Sequence, residues 1–393
     1  MIIFLTVLTV IIAFLLLFSF LTTLFSLVMP KISFPEEKVE KDMALIITAY
    51  KSINTISEIL DSIYRSDYSN YHIYLVVDNY DKEIDIAPNE KLTIAVPGAP
   101  LNSKLKSIRY AVESYVRDHD TSIILDPDNL IKSDFLKKIN TFRYHYEAVQ
   151  GRRMAKNLDT TVAALDAAGE MYHNYVDKYV PFRLRASSTL SGSGMAFTTS
   201  LLKGFLYGDI TKKEEQGVIY GEDKYFANYI IEQGHKIAYE YEAIVYDEKL
   251  ENKDQIKNQR IRWFKSYFIN LRYSLGIILS GFFRLRFVKM LFGIYSGLPP
   301  LFLLMAAAFF LAVACLFVAP ILTAVLVFSV FMFFVNFVWV LKLAGASKDI
   351  WRALSKSHIF MMEQLKAILT MHKSKNDFLV TENTKKVKID ELS

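Results

Sequence analysis

The sequence predicts an α/β domain with a mixed, mainly parallel sheet, inserted between one N-terminal and two C-terminal transmembrane helices. Three observations carry that expectation. Uncharged apolar runs bracket the chain: no charged residue precedes Lys31, and none lies between Lys289 and Lys342. Between the brackets, short β-branched runs alternate with helical stretches, as strand-and-crossover units require. Two of those runs end in an aspartate, Asp78 and Asp126, where parallel sheets bind ligands.

Composition sets the frame. The chain has 393 residues, 52% of them hydrophobic, with a mean hydropathy of +0.21, which excludes a simple soluble enzyme. Cys315 is the single cysteine, so neither a disulfide framework nor a thiolate zinc site is available.

Residues 2–28 are almost continuously apolar. As a helix they reach about 40 Å, enough to cross a hydrocarbon core of roughly 30 Å. The run is longer than a signal-peptide core, no basic residue precedes it and no small-x-small site follows Val28, so residues 1–30 are read as an anchor. The uncharged block 290–341 has 52 residues, about 78 Å as one helix and suited to two crossings. Pro299-Pro300 and Pro320 divide it into helices near 298–319 and 321–341.

Three crossings would place the polar middle and the tail on one side. Lys31, Lys38 and Lys41 follow the first crossing, Arg284, Arg286 and Lys289 precede the second, and Lys342 and Lys348 follow the third. The turn between the last two has no Lys or Arg, so the positive-inside rule makes the shared side the cytoplasm of a multi-pass inner- or plasma-membrane protein. Residues 342–393 carry 10 Lys/Arg against 6 Asp/Glu, a basic cytoplasmic tail suited to an anionic membrane rather than to nucleic acid.

Within residues 31–253 the spacing predicts strands at 43–48, 71–77, 91–96 and 121–125, with helices at 57–64 and 103–117. Neither GxGxxG after the first strand nor GxxxxGK[ST] occurs, so a nucleotide would be held another way. Asp126-Pro127-Asp128 places two carboxylates at a strand end. They could share a hard divalent cation such as Mg²⁺ or Mn²⁺, or form a turn with Asn129. Gln150-Gly151-Arg152-Arg153 offers guanidinium groups near the same rim. Gly192-Ser193-Gly194 puts small residues before a strand, as a close backbone approach to a ligand or a tight turn would. Gly221-Glu222-Asp223 opens a helix running to Gln233, and the helix dipole favours an ionised Asp223 there.

Residues 254–289 complete the pattern. On a helix starting near Asp254, Gln259, Arg262 and Trp263 share a face and could clamp phosphate and sugar, or anchor the helix at headgroups. Residues 266–289 mix aromatic and aliphatic side chains with Arg272, Arg284 and Arg286, as an amphipathic interface helix does. Trp351 to His372 repeats this more weakly.

In this order the motifs resemble an inverting family 2 glycosyltransferase with the GT-A fold. The similar branch is membrane-embedded and includes hyaluronan, chitin and cellulose synthases and ceramide glucosyltransferases. The resemblance covers 43–265 closely and implies a UDP-sugar donor with Mg²⁺ or Mn²⁺. It makes Thr48, Ala49 and Tyr50 a nucleotide-contact segment, Asp78 a uracil contact, and Lys104 a basic residue of the donor site. It makes Asp126 and Asp128 the DxD pair, with Asp128 foremost at the metal. Ser193, Gly194, Glu222 and Trp263 fall to the acceptor side, Asp223 is the base, and Gln259, Arg262 and Trp263 form QxxRW on the donor.

Two acceptor classes follow. One is a membrane lipid or lipid-linked sugar, suited to a site at the headgroup plane. The other is a growing polysaccharide, which a homo-oligomer or export partner would help to thread. A catalytically silent nucleotide-sugar-binding scaffold is the contrasting class, and retention of both Asp128 and Asp223 argues against it.

Overall fold

A computed structural model of the chain describes residues 1–215, 217, 219–357, 370 and 385–392. Its first element is the helix α1 (Ile2–Val28), followed by β1 (Met43–Tyr50), α2 (Ile56–Tyr64), β2 (Tyr71–Asp78) and β3 (Leu92–Ala95). Next come α3 (Lys104–Glu113), β4 (Thr121–Leu125), β5 (Leu130–Ile131), α4 (Phe135–Arg143) and β6 (Ala148–Ala155). An insertion then holds α5 (Thr161–His173), a π-helical segment (Asn174–Tyr179) and α6 (Val180–Arg183). It leads into β7 (Met195–Thr198), α7 (Thr199–Leu206), α8 (Ile210–Glu215), α9 (Glu222–Glu232) and β8 (Ile237–Asp247). The long helix α10 (Lys253–Phe283) precedes α11 (Phe287–Gly297), α12 (Leu301–Cys315), α13 (Pro320–Leu343) and α14 (Lys348–Leu354).

The eight strands form one sheet in the order β3-β2-β1-β4-β7-β6-β8-β5. β3, β2, β1 and β4 run parallel, β7 runs against both β4 and β6, and β6 pairs parallel with β8. The sheet is therefore mixed and mainly parallel, as expected. Both faces are covered, which is why β2 is buried at every position. Leu45, Ile47, Ile73 and Leu75 face one layer with α2 and α4, while Ala44, Ile46, Tyr74 and Val76 face α3, α7 and α9. Each such fully buried aliphatic chain contributes ~1.5–3 kcal/mol over exposure.

Among the described residues two helices, α1 and α13, are long and apolar enough to cross a membrane; α11 and α12 pass that test only together and are bent by 82° at their break. The break falls at Leu298-Pro299-Pro300, where the sequence placed it. The expected separate interface helix at 266–289 instead continues α10 without interruption to Phe283. Leu285 adopts φ 52 at the turn into α11, and Gly281 and Gly293 let the two helices close up, since a Cβ there would stand 2.6 Å from Met290 N and 2.8 Å from Ile278. Most of the Trp351–His372 stretch lies outside the described residues, with only α14 within them.

α1 packs on α12 and α13, and the insertion sits against them through Tyr172, Tyr175 and Val176. Asn336 of α13 donates to Ser19 Oγ of α1 (3.3 Å) and to Tyr172 of α5 (3.4 Å). Arginines fix both helix ends to the sheet domain. Arg183 donates to the Leu27 carbonyl (3.3 Å) and to that of Met29, and Arg152 donates to the Ala344 carbonyl (3.1 Å). Cations at helix C-termini satisfy carbonyls left without a helical partner.

Candidate active site

The C-terminal rim of the sheet gathers most of the residues singled out in the sequence. Thr48, Ala49 and Tyr50 end β1, Asp78 ends β2, Lys104 opens α3 and Asp126 follows β4; these six line one open pocket. Ser103 caps α3 by accepting from Lys106 N (3.3 Å), which sets the direction in which Lys104 leaves the helix. Asp78, 1% exposed, accepts from the backbone of Leu101 (2.8 Å) and Asn102 (2.9 Å). In this state its carboxylate therefore anchors the loop that leads into α3. Asn102 in turn accepts from the Tyr50 hydroxyl (2.6 Å), closing the pocket wall.

The Asp126-Pro127-Asp128 turn lies at the pocket floor. Asn129 accepts from Asp126 N (2.9 Å) and Thr55 donates to the Pro127 carbonyl (2.8 Å), so both sides of the turn are held. Asp126 meets Lys104 Nζ at 2.5 Å. Burial alone would raise its carboxyl, but Lys104, Arg153 and Arg262 outweigh burial and hold it below the usual range. Asp128 goes the other way. Burial first, then the charges of Asp126 and Asp247, push its carboxyl up to about 6.

One Asp128 oxygen accepts from Glu248 N (2.9 Å). The other accepts no hydrogen bond among the described residues. A carboxyl raised by neighbouring acids, beside a second carboxylate, suits a hard divalent cation. Among the described residues no group of three or more His, Cys, Asp or Glu could hold an ion. The pair therefore fits an Mg²⁺ or Mn²⁺ shared with substrate phosphates rather than a closed protein cage.

Behind this floor stands a buried ionic network that sequence reasoning missed. Asp247 ends β8 and pairs with Arg153 and with Lys249 (2.9 Å). Glu170 of α5 closes the ring at 3.2 Å from Arg153 and 2.5 Å from Lys249. Lys156 reaches the Asp128 carbonyl (3.1 Å) and Glu248 (3.5 Å). Of the guanidinium groups expected at the rim, Arg153 is thus committed to this ring and Arg152 to the Ala344 carbonyl. Only the aspartate at the end of β8 could have signalled the network in the sequence.

The opposite wall is acidic. Glu222 and Asp223 form the first turn of α9, and Lys104 lies 4.0 Å from Glu222. Burial raises the Glu222 carboxyl despite Lys104, with Asp223 adding to the rise. Gly221 is required by two constraints at once. Its φ is +77, and a Cβ there would stand 2.0 Å from Ser266 Oγ of α10. A second, mainly apolar pocket connects Lys104, Glu222 and Asp223 to Leu105, Met195 and Phe226.

α10 supplies Gln259, Arg262 and Trp263. Arg262 lies close enough to Asp126 and Glu222 to bias both carboxyls toward ionisation. Trp263 is 44% exposed, and its ring is covered by the Arg260 guanidinium at 4.2 Å; Arg260 also pairs with Asp166 of α5. Arg260, absent from the expected set, thus ties α10 to the insertion.

Gly192-Ser193-Gly194 forms a buried turn rather than an open surface. Gln150 donates to the Ser193 carbonyl (3.0 Å) and accepts from Ser191 N (2.9 Å). Gly194 has φ +63, and a Cβ would meet Val245 at 2.6 Å. The Ser193 hydroxyl is wholly buried with no hydrogen-bond partner among the described residues. What reaches the cleft is the Gly192 carbonyl, which accepts from Lys104 Nζ (2.8 Å).

Known proteins resemble this chain in sequence family and in fold. Residues 41–266 match the family model described as "Glycosyltransferase like family 2". No curated protein sequence matches the chain. Among solved structures, the mannosyltransferase PcManGT from Pyrobaculum calidifontis, in complex with GDP-Man and Mn²⁺, is similar at 14% identity and TM-score 0.53, over 93% of this chain and 99% of that one. S. aureus TarS 1-349, in complex with UDP-GlcNAc, aligns at 14% identity and TM-score 0.39, over 60% of this chain and 66% of that one.

Proposed function

The chain belongs to the glycosyltransferase-like family 2, and on that premise we propose an inverting, divalent-cation-assisted transfer of sugar from a UDP-sugar to a hydroxyl of a membrane lipid or lipid-linked acceptor, forming a β-glycoside. The observation that carries this reading is the position of Lys104. One ammonium touches Asp126 at the donor-side floor and lies 4.0 Å from Glu222 on the wall that carries Asp223. A donor diphosphate and an acceptor hydroxyl would meet there.

The chemistry follows from the residues. Asp223 takes the proton of the acceptor hydroxyl as that oxygen attacks the anomeric carbon from the face opposite the diphosphate. A single displacement converts an α-linked donor into a β-glycoside and releases UDP. Asp128 and Asp126 would hold the Mg²⁺ or Mn²⁺, whose charge screens the diphosphate when bound. Arg262 and Lys104 add fixed positive charge where the leaving group becomes more negative. Thr48, Ala49, Tyr50 and Asp78 serve the nucleotide end, and Gln259 and Trp263 border the sugar.

The membrane reading has a geometric support. The C-terminal ends of α1 and α13 are both held to the sheet domain, by Arg183 and Arg152. If both helices cross, they cross in the same direction, and the bent pair α11–α12 returns the chain between them. On that reading the chain crosses three times, and the Lys and Arg flanking the crossings put the catalytic domain in the cytoplasm. Three crossings supply little wall for a polysaccharide channel, which favours a single transfer to a lipid.

The test is UDP release from purified protein in nanodiscs with Mg²⁺, Mn²⁺ or chelator, across UDP-sugars and GDP-mannose. Native lipid extract serves as acceptor, Asp223→Asn as control, and the labelled product is sized. One small lipid-soluble product, lost in the variant and with chelator, is expected. A high-mass ladder would make the chain a polymer synthase, and no donor turnover or binding by folded protein would make it a scaffold.

A further inference from the structure

Residues 385–392 of the basic tail lie against the β8–β5 end of the sheet, beside the segment that carries Asp128. The Lys385 backbone N–H donates to the Glu248 carboxylate (3.1 Å). Its ammonium pairs with Asp159, in the loop after β6 (2.7 Å), and with Glu251, in the loop after β8 (3.1 Å). Further along, Asp390 pairs with Arg65 at the end of α2 (2.6 Å), and the Leu392 carbonyl accepts from the Tyr246 hydroxyl of β8 (3.3 Å). Tyr246 is the sheet partner of Leu130, two residues beyond Asp128. The segment is therefore clasped at both of its ends.

Glu248 joins this segment to the candidate cation site. Its N–H is the donor that holds one Asp128 oxygen (2.9 Å), while its carboxylate takes the Lys385 N–H and lies 3.5 Å from the Lys156 ammonium. Lys156 in turn donates to the Asp128 carbonyl (3.1 Å). One residue thus binds Asp128 through its backbone and the tail through its side chain. Glu251 is tied in as well, since it accepts from Asn157 (3.0 Å), and Asn157 accepts from Lys249 N (2.8 Å). Lys385 therefore grips the loop after β8 at two places, on either side of Lys249.

The inner and outer halves of this arrangement differ in burial. The Glu248 and Lys156 side chains are 5% and 1% exposed, whereas those of Arg65 and Asp390 are 46% and 68% exposed. Exposed ion pairs contribute little each and are screened by salt, while buried ones are screened much less. Ionic strength can then loosen the outer grip and leave the network behind Asp128 intact.

We propose that residues 385–392 act as a releasable strap, with Lys385 as a positioning residue that holds the loop after β8 so that the Glu248 N–H keeps Asp128 aimed at the divalent cation. Released, the loop loosens and the cation is held less well. The inference rests on the reading of Asp128 as a cation ligand and adds to it a control by ionic strength. The strap's contacts lie behind Asp128 rather than at Asp223, so its effect falls on cation affinity more than on proton transfer.

The experiment uses the full chain in nanodiscs, as wild type, Lys385→Met, Lys385→Arg and Arg65→Met. Lys386→Met, which removes the same charge one residue further on, is the control. Amide hydrogen exchange of the loop after β8 reads the Glu248 N–H directly. The Kd for Mn²⁺ in the presence of UDP, from the paramagnetic resonance of unbound Mn²⁺, reads the cation site without turnover. At low salt, Lys385→Met and Arg65→Met should speed exchange at Glu248 and weaken Mn²⁺ binding by about three- to fivefold, the factor an exposed ion pair can supply. Lys385→Arg and Lys386→Met should match wild type, and melting temperatures should hardly move. At about 0.5 M salt the gap between wild type and Lys385→Met should close.

Equal exchange at Glu248 and equal Mn²⁺ affinity in wild type and Lys385→Met would overturn the proposal. So would the same loss in Lys386→Met, which would reduce the effect to net charge. Faster exchange throughout the sheet with a lower melting temperature would make the segment a brace of the whole domain instead. Strap-dependent exchange at Glu248 in a chain that binds no Mn²⁺ would leave the strap standing and remove the cation-assisted function.

Discussion

The Lys104 ammonium lies 2.5 Å from Asp126 and 4.0 Å from Glu222, so one cation spans the acidic floor and the acidic wall of the cleft. Lys104→Met would leave carboxylates facing each other across the place a diphosphate must enter. The expected result is a KM for UDP-sugar raised by about tenfold or more, the cost of a lost charge-assisted contact. Lys104→Arg should recover part of it. Titration of UDP release against donor concentration measures both.

Asp223 and Glu222 are adjacent but differ in surroundings. Burial raises the Glu222 carboxyl against the pull of Lys104. Asp223→Asn should lower kcat by ~10²–10⁴-fold, the usual contribution of a general base, while calorimetry shows donor affinity retained. Glu222→Gln should cost less in kcat. Equal losses from the two variants would contradict the assignment of the base to Asp223.

Gly221 makes a conformational and a steric prediction that can be separated. Gly221→Ala meets both a φ of +77 and Ser266 Oγ at 2.0 Å. Strain of this kind costs ~1–3 kcal/mol, read as a lower melting temperature with loss of activity. Adding Ser266→Ala relieves the contact but not the backbone, so the double variant should recover only in part.

Glu240 of β8 gives a pH dependence of stability. Burial first, helped by Glu242 and Asp134, pushes its carboxyl up to about 7, although Lys138 and the Glu242 N–H pull it down. The folded chain thus holds this proton more tightly than the unfolded chain. The stabilisation is complete below about pH 4.3 and is lost as pH rises toward 7. Melting temperature should therefore fall from pH 5 to pH 8, by a stability change of no more than about 3 kcal/mol. Glu240→Gln should remove that part of the slope and melt higher than wild type at pH 8.

The strands that carry the open pocket at the rim were legible because each is a short apolar run ended by a polar residue. The spacing predicts 121–125 and β4 is Thr121–Leu125; it predicts 71–77 and β2 is Tyr71–Asp78. Thr48, Asp78, Lys104 and Asp126 then meet because the parallel register brings strand ends to one rim. The helix of Glu222 and Asp223 was legible for a similar reason, with Gly before it and Gly234 after it.

What could not be read were contacts between elements distant in the chain. Arg153, Glu170, Asp247 and Lys249 come from three elements and a loop, and no local pattern marks them as one ring. Arg152 shows the same limit: a guanidinium beside a binding rim looks available for phosphate until the end of α13 is placed against it. The continuity of α10 was missed because a change from charged to aromatic composition near 266 resembles a boundary, whereas a helix backbone needs none there.

Arg152 and Arg183 hold the ends of α13 and α1 to the sheet domain, and Asn336 locks those two helices to α5. Two attachments alone would leave a hinge along the line joining them; the contact of Tyr172 with Asn336 is a third, and together they restrain the sheet domain against tilting relative to those helix ends. The elevation of Asp223 above that plane is then a built-in length. On the proposed function, an acceptor is chosen partly by reach: a hydroxyl carried too low or too high on its headgroup would not meet Asp223, whatever its chemistry. Shortening or lengthening the Leu27-to-Asp42 leader would leave that elevation in place, whereas loosening either arginine would let it drift.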